Sequence, residues 1–419
     1  MDELTHALDA FGPWDWACVG ANLTAAVLGF FGLRCWRGMP GLSSPLPVSA
    51  SNAALGVVTG VMAFTVVFGL VLAAAAPAFA PAPEGFVNVL VDGKHAVVPK
   101  GDNLIEAARK VQVEIPYFCY HPRLSIAGQC RLCLVETSDM PGRLVAGCQV
   151  RVKEGLQIIT TTSAVKENQR AVMEFHLVNH PVDCPICDQG GECELQDVSM
   201  GYGRSVSRYV DRKRVVPDED MGPLVATDMT RCIQCTRCVR FSAEIAGTYE
   251  LGGIYRGENL QIGTFDGKPL MSEISGNVID VCPVGALTNK VFRYKARAWE
   301  LTAKESLGYH DALGSNIYLH SRRGEVLRAV PRDNEAVNEC WLSDRDRYSH
   351  EGLYSSDRAT QPMLKENGHW RVAAWDEALA AAVAVLKSAT VAETGVLVHP
   401  ASSNEEGFRN YHERCSWLY

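Results

Sequence analysis

The chain has 419 residues, a net charge of −8 and no extended Lys/Arg run, which excludes a nucleic-acid role built on a basic surface. Hydrophobic residues make up 47% and aromatics 8%, ordinary for a globular protein of roughly two to four domains with one apolar extension. Fifteen cysteines are the main departure: eleven fall in three groups between Cys119 and Cys282, while Cys18, Cys35, Cys340 and Cys415 lie apart. Disulfide frameworks belong to short secreted chains, so clustered cysteines in a long chain point to metal, loaded where thiols stay reduced.

Residues 1–85 differ from the rest. Trp16 to Leu33 carries no charge, about 27 Å as a helix, and Gly38 to Pro83 is also uncharged. Segments 16–33 and 54–76 are expected to cross a membrane, and Pro77, Pro81 and Pro83 then form a stiff linker. A signal sequence ending at Ala78-Phe79-Ala80, or an extension foreign to the gene, are the alternatives. Arg34 and Arg37 would draw the connection between the segments to the cytoplasm and so place residue 84 outside. The metal motifs that follow outweigh two arginines. The resemblance those motifs carry implies the cytoplasmic face of a bacterial inner membrane for the main body, with these helices as its anchor.

Residues 86–160 are expected to form a β-grasp [2Fe–2S] ferredoxin domain within an α+β multidomain chain. Phe86–Val91 reads as a strand, Asp92-Gly93 as a turn and His95–Val98 as the partner strand. Asn103 to Val111 reads as a helix capped by Asp102 or Asn103, with Leu104, Ala107, Ala108 and Val111 on one face. Cys119, Cys130, Cys133 and Cys148 follow, and a [2Fe–2S] rhomb needs four thiolates, two per iron. A zinc knuckle would pair two Cys-x-x-Cys units, and only one is present.

Residues 161–220 carry a helical pattern from Thr162 to Asn179, with Met173, Phe175, His176 and Val178 leading into His180, Cys184, Cys187 and Cys193. Three cysteines leave one corner of a [4Fe–4S] cubane open. His180 stands where a fourth ligand is expected, and Pro181 ends the helix there; His176, one turn earlier, competes for the role. Gly190 and Gly191 would let backbone approach the sulfides. Residues 221–296 hold Cys232, Cys235 and Cys238, then Cys282-Pro283, the pattern of one ordinary [4Fe–4S] cluster. Residues 297–419 read as mixed α/β, with strands at 317–320 and 325–330 and a helix at 375–386.

The Cys119–Cys133 stretch, the block from His180 to Glu194-Leu-Gln-Asp197, and Thr230-Arg-Cys-Ile-Gln-Cys-Thr-Arg-Cys-Val-Arg240 together resemble the large, 75-kDa-type iron–sulfur subunit of respiratory complex I. The resemblance covers about Phe86 to Leu379. It implies a [2Fe–2S] cluster at the first group, a histidine-ligated [4Fe–4S] cluster with His180 at the second, and a [4Fe–4S] cluster at the third. It further implies one-electron relay from the flavin of an NADH-binding partner subunit towards quinone, within a complex that translocates protons. Asp311–Asn316, Arg323–Val326 and Asn338–Asp344 resemble the opening of a molybdopterin-oxidoreductase domain. Residues 299–339 contain no cysteine, so neither a fourth cluster nor a molybdopterin site is expected.

No Gly-x-Gly-x-x-Gly follows a strand, so no NADH, flavin or quinone active site and no catalytic residue is assigned within the chain. The competing function is the electron-input subunit of an NAD-linked hydrogenase or formate dehydrogenase. A zinc scaffold is the non-redox alternative.

Overall fold

The computed structural model describes residues 80–310 and 313–390, with Glu393, Gly395, Ser402, Ser403, Glu405 and Phe408 beyond them. Segments 16–33 and 54–76, Cys18, Cys35 and Cys415 lie outside the described residues. Among the described residues no helix is long and apolar enough to cross a membrane.

Alternation of apolar residues gives β1 (Phe86–Val91) and β2 (Lys94–Pro99), antiparallel with Val91 opposite Lys94. Asp92 and Gly93 join them with φ of 48° and 79°, the left-handed pair that a two-residue type I′ hairpin requires. Helix α1 (Leu104–Lys110) follows, and its cap is Asn103: one side-chain oxygen accepts from the N–H of both Ile105 and Glu106 at 3.0 Å. Val111 is the C-cap, one residue past the helix, and packs partly buried against the same core as Leu104, Ala107 and Ala108. Strands β3 (Leu134–Thr137), β4 (Leu144–Ala146) and β5 (Leu156–Ile159) complete a mixed sheet of order β2-β1-β5-β3-β4, with β1 and β5 parallel. Val89, Val91, Val98, Leu156 and Ile158 on the sheet enclose an apolar core with Leu104, Ile105, Ala107 and Ala108 of α1. This is the expected β-grasp arrangement. Cys133 and Cys148 belong to the same core.

Helix α2 (Ser163–Val178) starts where Thr162 accepts from the Val165 N–H and ends three residues before Pro181. Val165, Gln169 and Met173, spaced by four, form its buried face; Phe175 points away from them and is 78% exposed. Helix α3 (Glu194–Tyr202) begins immediately after Cys193. The next stretch pairs β6 (Val225–Thr227) with β9 (Leu287–Asn289) and β7 (Leu251–Ile254) with β8 (Gln261–Thr264). Within it, α4 (Arg237–Glu244) opens at the cysteine triplet and α5 (Asn277–Val281) stops at Cys282.

Beyond it, β10 (Thr302–Leu307), β11 (Asn316–Arg322) and β12 (Glu325–Pro331) form an antiparallel sheet, followed by α6 (Asp344–Tyr348), a hairpin of β13 (Met363–Glu366) and β14 (His369–Val372), and α7 (Trp375–Ser388). The strands and helix expected there fall inside β11, β12 and α7. Helix α6 is tied to α5 by buried polar contacts: Asp344 accepts from Ser275 Oγ and the Gly276 N–H at 2.7 Å, and Arg347 pairs with Asp280. On the other side, Arg328 of β12 donates twice to Glu192, beside Cys193, at 2.7 and 2.6 Å.

Candidate metal centres

A second apolar core positions the cysteine groups. Phe118, Leu132, Met173, Leu195, Val198, Val284 and Ala286 pack around Cys119, Cys130, Cys193 and Cys235, so thiols of all three groups meet in one low-dielectric region.

The four cysteines of the first group are all buried. They associate in two pairs: the side chains of Cys119 and Cys130 share a hydrogen bond, as do those of Cys133 and Cys148. The contact from Cys130 draws the Cys119 thiol down to about 5, and the contact with Cys119 pushes Cys130 up. Arg131, between Cys130 and Cys133, takes φ of 58°, the left-handed turn that curls a Cys-x-x-Cys loop around its contents. Two thiols on each side of a buried site suit a two-iron core.

His180, Cys184, Cys187 and Cys193 line one cavity together with Gly190, Arg231 and Gly285. Burial, reinforced by the Lys213 ammonium, lowers the His180 imidazole to about 4, so the ring is neutral. The ring hydrogen-bonds the Arg231 backbone, while Nδ1 is buried with no hydrogen-bond partner. One nitrogen held by main chain and the other left bare is the state in which histidine ligates metal. His176 does not line this cavity; its ring packs edge-on against Phe118 at 5.0 Å and bonds the backbone at Cys130. A Cβ on Gly190 would lie 2.9 Å from the Cys184 carbonyl oxygen and 3.1 Å from that of Cys187, so a side chain there would crowd the turn that carries these cysteines. The space at Gly191 serves a different neighbour, the Trp299 ring.

Cys232, Cys235, Cys238 and Cys282 line a second cavity with Pro283, Val284 and Ala286. Gln234 and Thr236 between these cysteines have φ of 56° and 60°, and the Gln234 N–H points at Cys232 Sγ, 3.4 Å away. Burial pushes Cys232 and Cys282 up to about 11 and Cys235 up to about 12, while backbone N–H groups of Gln234, Arg237 and Val284 act in the opposite direction. Such thiols carry a proton until a cation replaces it, which is the chemistry of a buried metal thiolate. In both cavities the donors surround a space rather than meeting at a point. Among the described residues no three His, Cys, Asp or Glu are gathered to hold one metal ion. Rings of four soft donors around a cavity fit a multi-iron core.

Several residues outside the cysteine motifs support these sites. Lys213 donates from Nζ to the carbonyls of Leu177, Val178 and His180 at 2.9, 3.1 and 2.7 Å, closing the end of α2 beneath the histidine. Lys213→Met is expected to cost about 1–2 kcal/mol, measured as a lower denaturation midpoint, with partial recovery in Lys213→Arg. An unchanged midpoint would remove this cap from the account. Arg231 is paired with Asp183 and Asp228, and Arg237 donates to both Glu194 oxygens at 2.8 and 3.0 Å. The only sign of these in the sequence was their place in the Thr230–Arg240 block. Cys340 stands alone and half-buried.

The 2Fe-2S iron–sulfur cluster binding domain family matches residues 86–163, and the NADH-ubiquinone oxidoreductase-G iron–sulfur binding region matches residues 169–208. The ferredoxin-like domain of NADH-quinone oxidoreductase subunit 3 matches residues 222–288. The G subunit of Rickettsia bellii NADH-quinone oxidoreductase is 51% identical over 302 residues, and the 75 kDa subunit of Reclinomonas americana NADH-ubiquinone oxidoreductase is 51% identical over 292. Over the aligned residues the chain is homologous to the G-type, 75-kDa subunits of NADH-quinone oxidoreductase. These alignments cover 72% and 70% of this chain but 44% and 42% of the relatives, so the chain spans less than half the length of the family members it matches. The mitochondrial iron–sulfur protein 1 of Solanum tuberosum NADH dehydrogenase is likewise 51% identical, over 73% of this chain and 41% of its own length. A solved NAD+-reducing [NiFe]-hydrogenase chain aligns at 26% identity and TM-score 0.46, covering 50% of this chain and 90% of that one. Residues 301–351, within the 297–419 stretch expected to open a molybdopterin-oxidoreductase fold, match a 4Fe-4S domain described as NADH-ubiquinone oxidoreductase NDSU1/NuoG-like. Within that stretch of this G-type homologue the sequence has one cysteine, Cys340.

Proposed function

We propose that the chain is the electron-relay part of a G-type subunit of NADH-quinone oxidoreductase and holds three iron–sulfur clusters. Cys119, Cys130, Cys133 and Cys148 ligate a [2Fe–2S] cluster, with Cys119/Cys130 on one iron and Cys133/Cys148 on the other. His180, Cys184, Cys187 and Cys193 ligate one [4Fe–4S] cluster, and Cys232, Cys235, Cys238 and Cys282 the other. The observation that carries the reading is the single core that Cys119, Cys130, Cys193 and Cys235 share, because relay needs the three sites close together in a dry medium. Iron–sulfur cores supply reversible one-electron capacity. The chain's own part is to orient the ligands, exclude water and surround the sulfurs with main-chain N–H groups.

In this reading electrons enter from the flavin of an NADH-binding partner subunit and leave towards quinone through other subunits of a proton-translocating complex. The relay part lies at the cytoplasmic face of a membrane, with the segments 16–33 and 54–76 as its anchor. Within residues 297–419, which are read as the opening of a molybdopterin-type fold, Arg328 of β12 braces the second site through Glu192. One isolated cysteine at 340 cannot build a fourth cubane, so none is assigned, nor is a molybdopterin.

The full chain reconstituted anaerobically with iron and sulfide is expected to bind about ten irons and to show one [2Fe–2S] and two [4Fe–4S] signals on reduction. About six irons with a single cubane signal would remove one centre. A colourless protein holding zinc would end the relay reading.

A further inference from the structure

The three arginines at 231, 237 and 240 stand among the metal sites, and their surroundings differ. Arg231 is neutralised by Asp183 and Asp228, and Arg237 by Glu194. Arg240, in the first turn of α4, is held by main-chain carbonyls instead. Its Nη2 donates to the carbonyl of Cys119 in the first group and, at 3.3 Å, to that of Cys235 in the third; Nη1 donates to the carbonyl of Ser125. Its Nε is buried without a partner, and no carboxylate hydrogen-bonds its guanidinium among the described residues. Glu244, one turn on, spends its oxygens on the N–H and hydroxyl of Ser125. The same two loops are linked again where Gln129 Nε2 donates to the Gln234 carbonyl at 2.8 Å and to Thr236 Oγ1 at 3.1 Å.

We propose that Arg240 is a positioning residue shared by two electron carriers: its guanidinium locks the first site to the third and raises the reduction potential of both. This rests on the three-cluster reading. Reduction adds one electron to a site that is already anionic, and a fixed positive charge favours the more negative state. A guanidinium hydrogen-bonded to the ligand backbones of both sites acts on both, and the low dielectric of the shared core weakens screening. The electron passes from one carrier to the other with no change at Arg240, which remains protonated throughout. Because the same charge favours reduction on either side, it lifts donor and acceptor together and leaves the step between them nearly level. The histidine-containing site has no bond to this residue and is not part of the effect.

The test is a redox titration of the full reconstituted chain followed by the three spectroscopic signals. Arg240→Gln is expected to keep its irons and to lower the midpoints of the [2Fe–2S] site and of the third site. At a fixed potential, each reduced-to-oxidised ratio should fall about tenfold, equivalent to about 59 mV for a one-electron couple. The second site should stay at its parental midpoint. Arg240→Lys keeps the charge and should bring both midpoints most of the way back. Unchanged midpoints in an iron-replete Arg240→Gln protein overturn the inference. So does an equal shift at all three sites, which would signal general loosening. If Arg240→Gln sheds iron, Arg240→Lys decides: parental midpoints support the charge effect, and two lowered midpoints overturn it. A parent chain without three signals would instead sink the three-cluster reading itself.

Discussion

His180→Ala is expected to abolish one cubane signal and lower the iron content from about ten to about six, leaving the other two centres in place. The bare, buried Nδ1 and the neutral ring make this the residue poised to ligate, and alanine leaves only three donors at the cavity. His176→Ala should retain all the irons, because that ring spends itself on Phe118 and the backbone at Cys130. Its cost should be confined to packing beside the first site. His180→Cys should keep a cubane and lower its potential, since an anionic ligand replaces a neutral one and opposes the incoming electron. Electron paramagnetic resonance with iron analysis separates these outcomes. If His176→Ala loses the cubane while His180→Ala keeps it, the two histidines have been assigned the wrong way round.

Gly285→Ala is expected to damage the second site although it lies three residues past the last cysteine of the third. A Cβ there would fall 2.2 Å from Cys187 Sγ and 3.2 Å from the Gln189 Cβ, so the thiol or the chain carrying it must move. The backbone at Gly285 does not have a positive φ, so alanine is locally permitted and the effect is one of space. Overpacking of this kind costs about 1–3 kcal/mol, here directed at a ligand. Iron content near six with the third site's signal intact is the expected result. Full iron with an unaltered second signal would show that Cys187 has another position available when its site is loaded.

The local part of the architecture could be read directly from residues. The β1–β2 hairpin, α1 and α2 each carry their own instructions: an Asp-Gly turn, an Asn or Thr cap, an apolar stripe and a proline stop. Even there, neighbouring Asp102 and Asn103 were indistinguishable until the bonds from Ile105 and Glu106 were seen. The apolar residues that lead into the second cysteine block do not share one environment: Met173 is buried, and Phe175, two positions on and so on the opposite side of α2, lies in solvent. The cysteine spacing separated the groups but held no information on how they lock together. Arg240 reaches a carbonyl 121 positions away, and Gly285 owes its identity to a sulfur of another group. Those are properties of the folded surface between segments, and no period or motif encodes them. Lys213 is the same kind of case, because a single lysine in a polar stretch has no pattern until α2 ends beneath it.

The common core also bears on how the protein matures. Cys133 and Cys148 sit in the β-grasp interior, whereas Cys119 and Cys130 sit in the core completed by Met173, Leu195, Val284 and Ala286. A fragment cut at residue 160 would therefore carry half of its own ligand set into water. The break in the sequence pattern at that residue is not a seam in the molecule. In the three-cluster reading, iron delivery to the first site is expected to be coupled to closure of the later segments over it. A chain that misses one centre presents to the cell's proteases an opened interior rather than a module with one empty pocket.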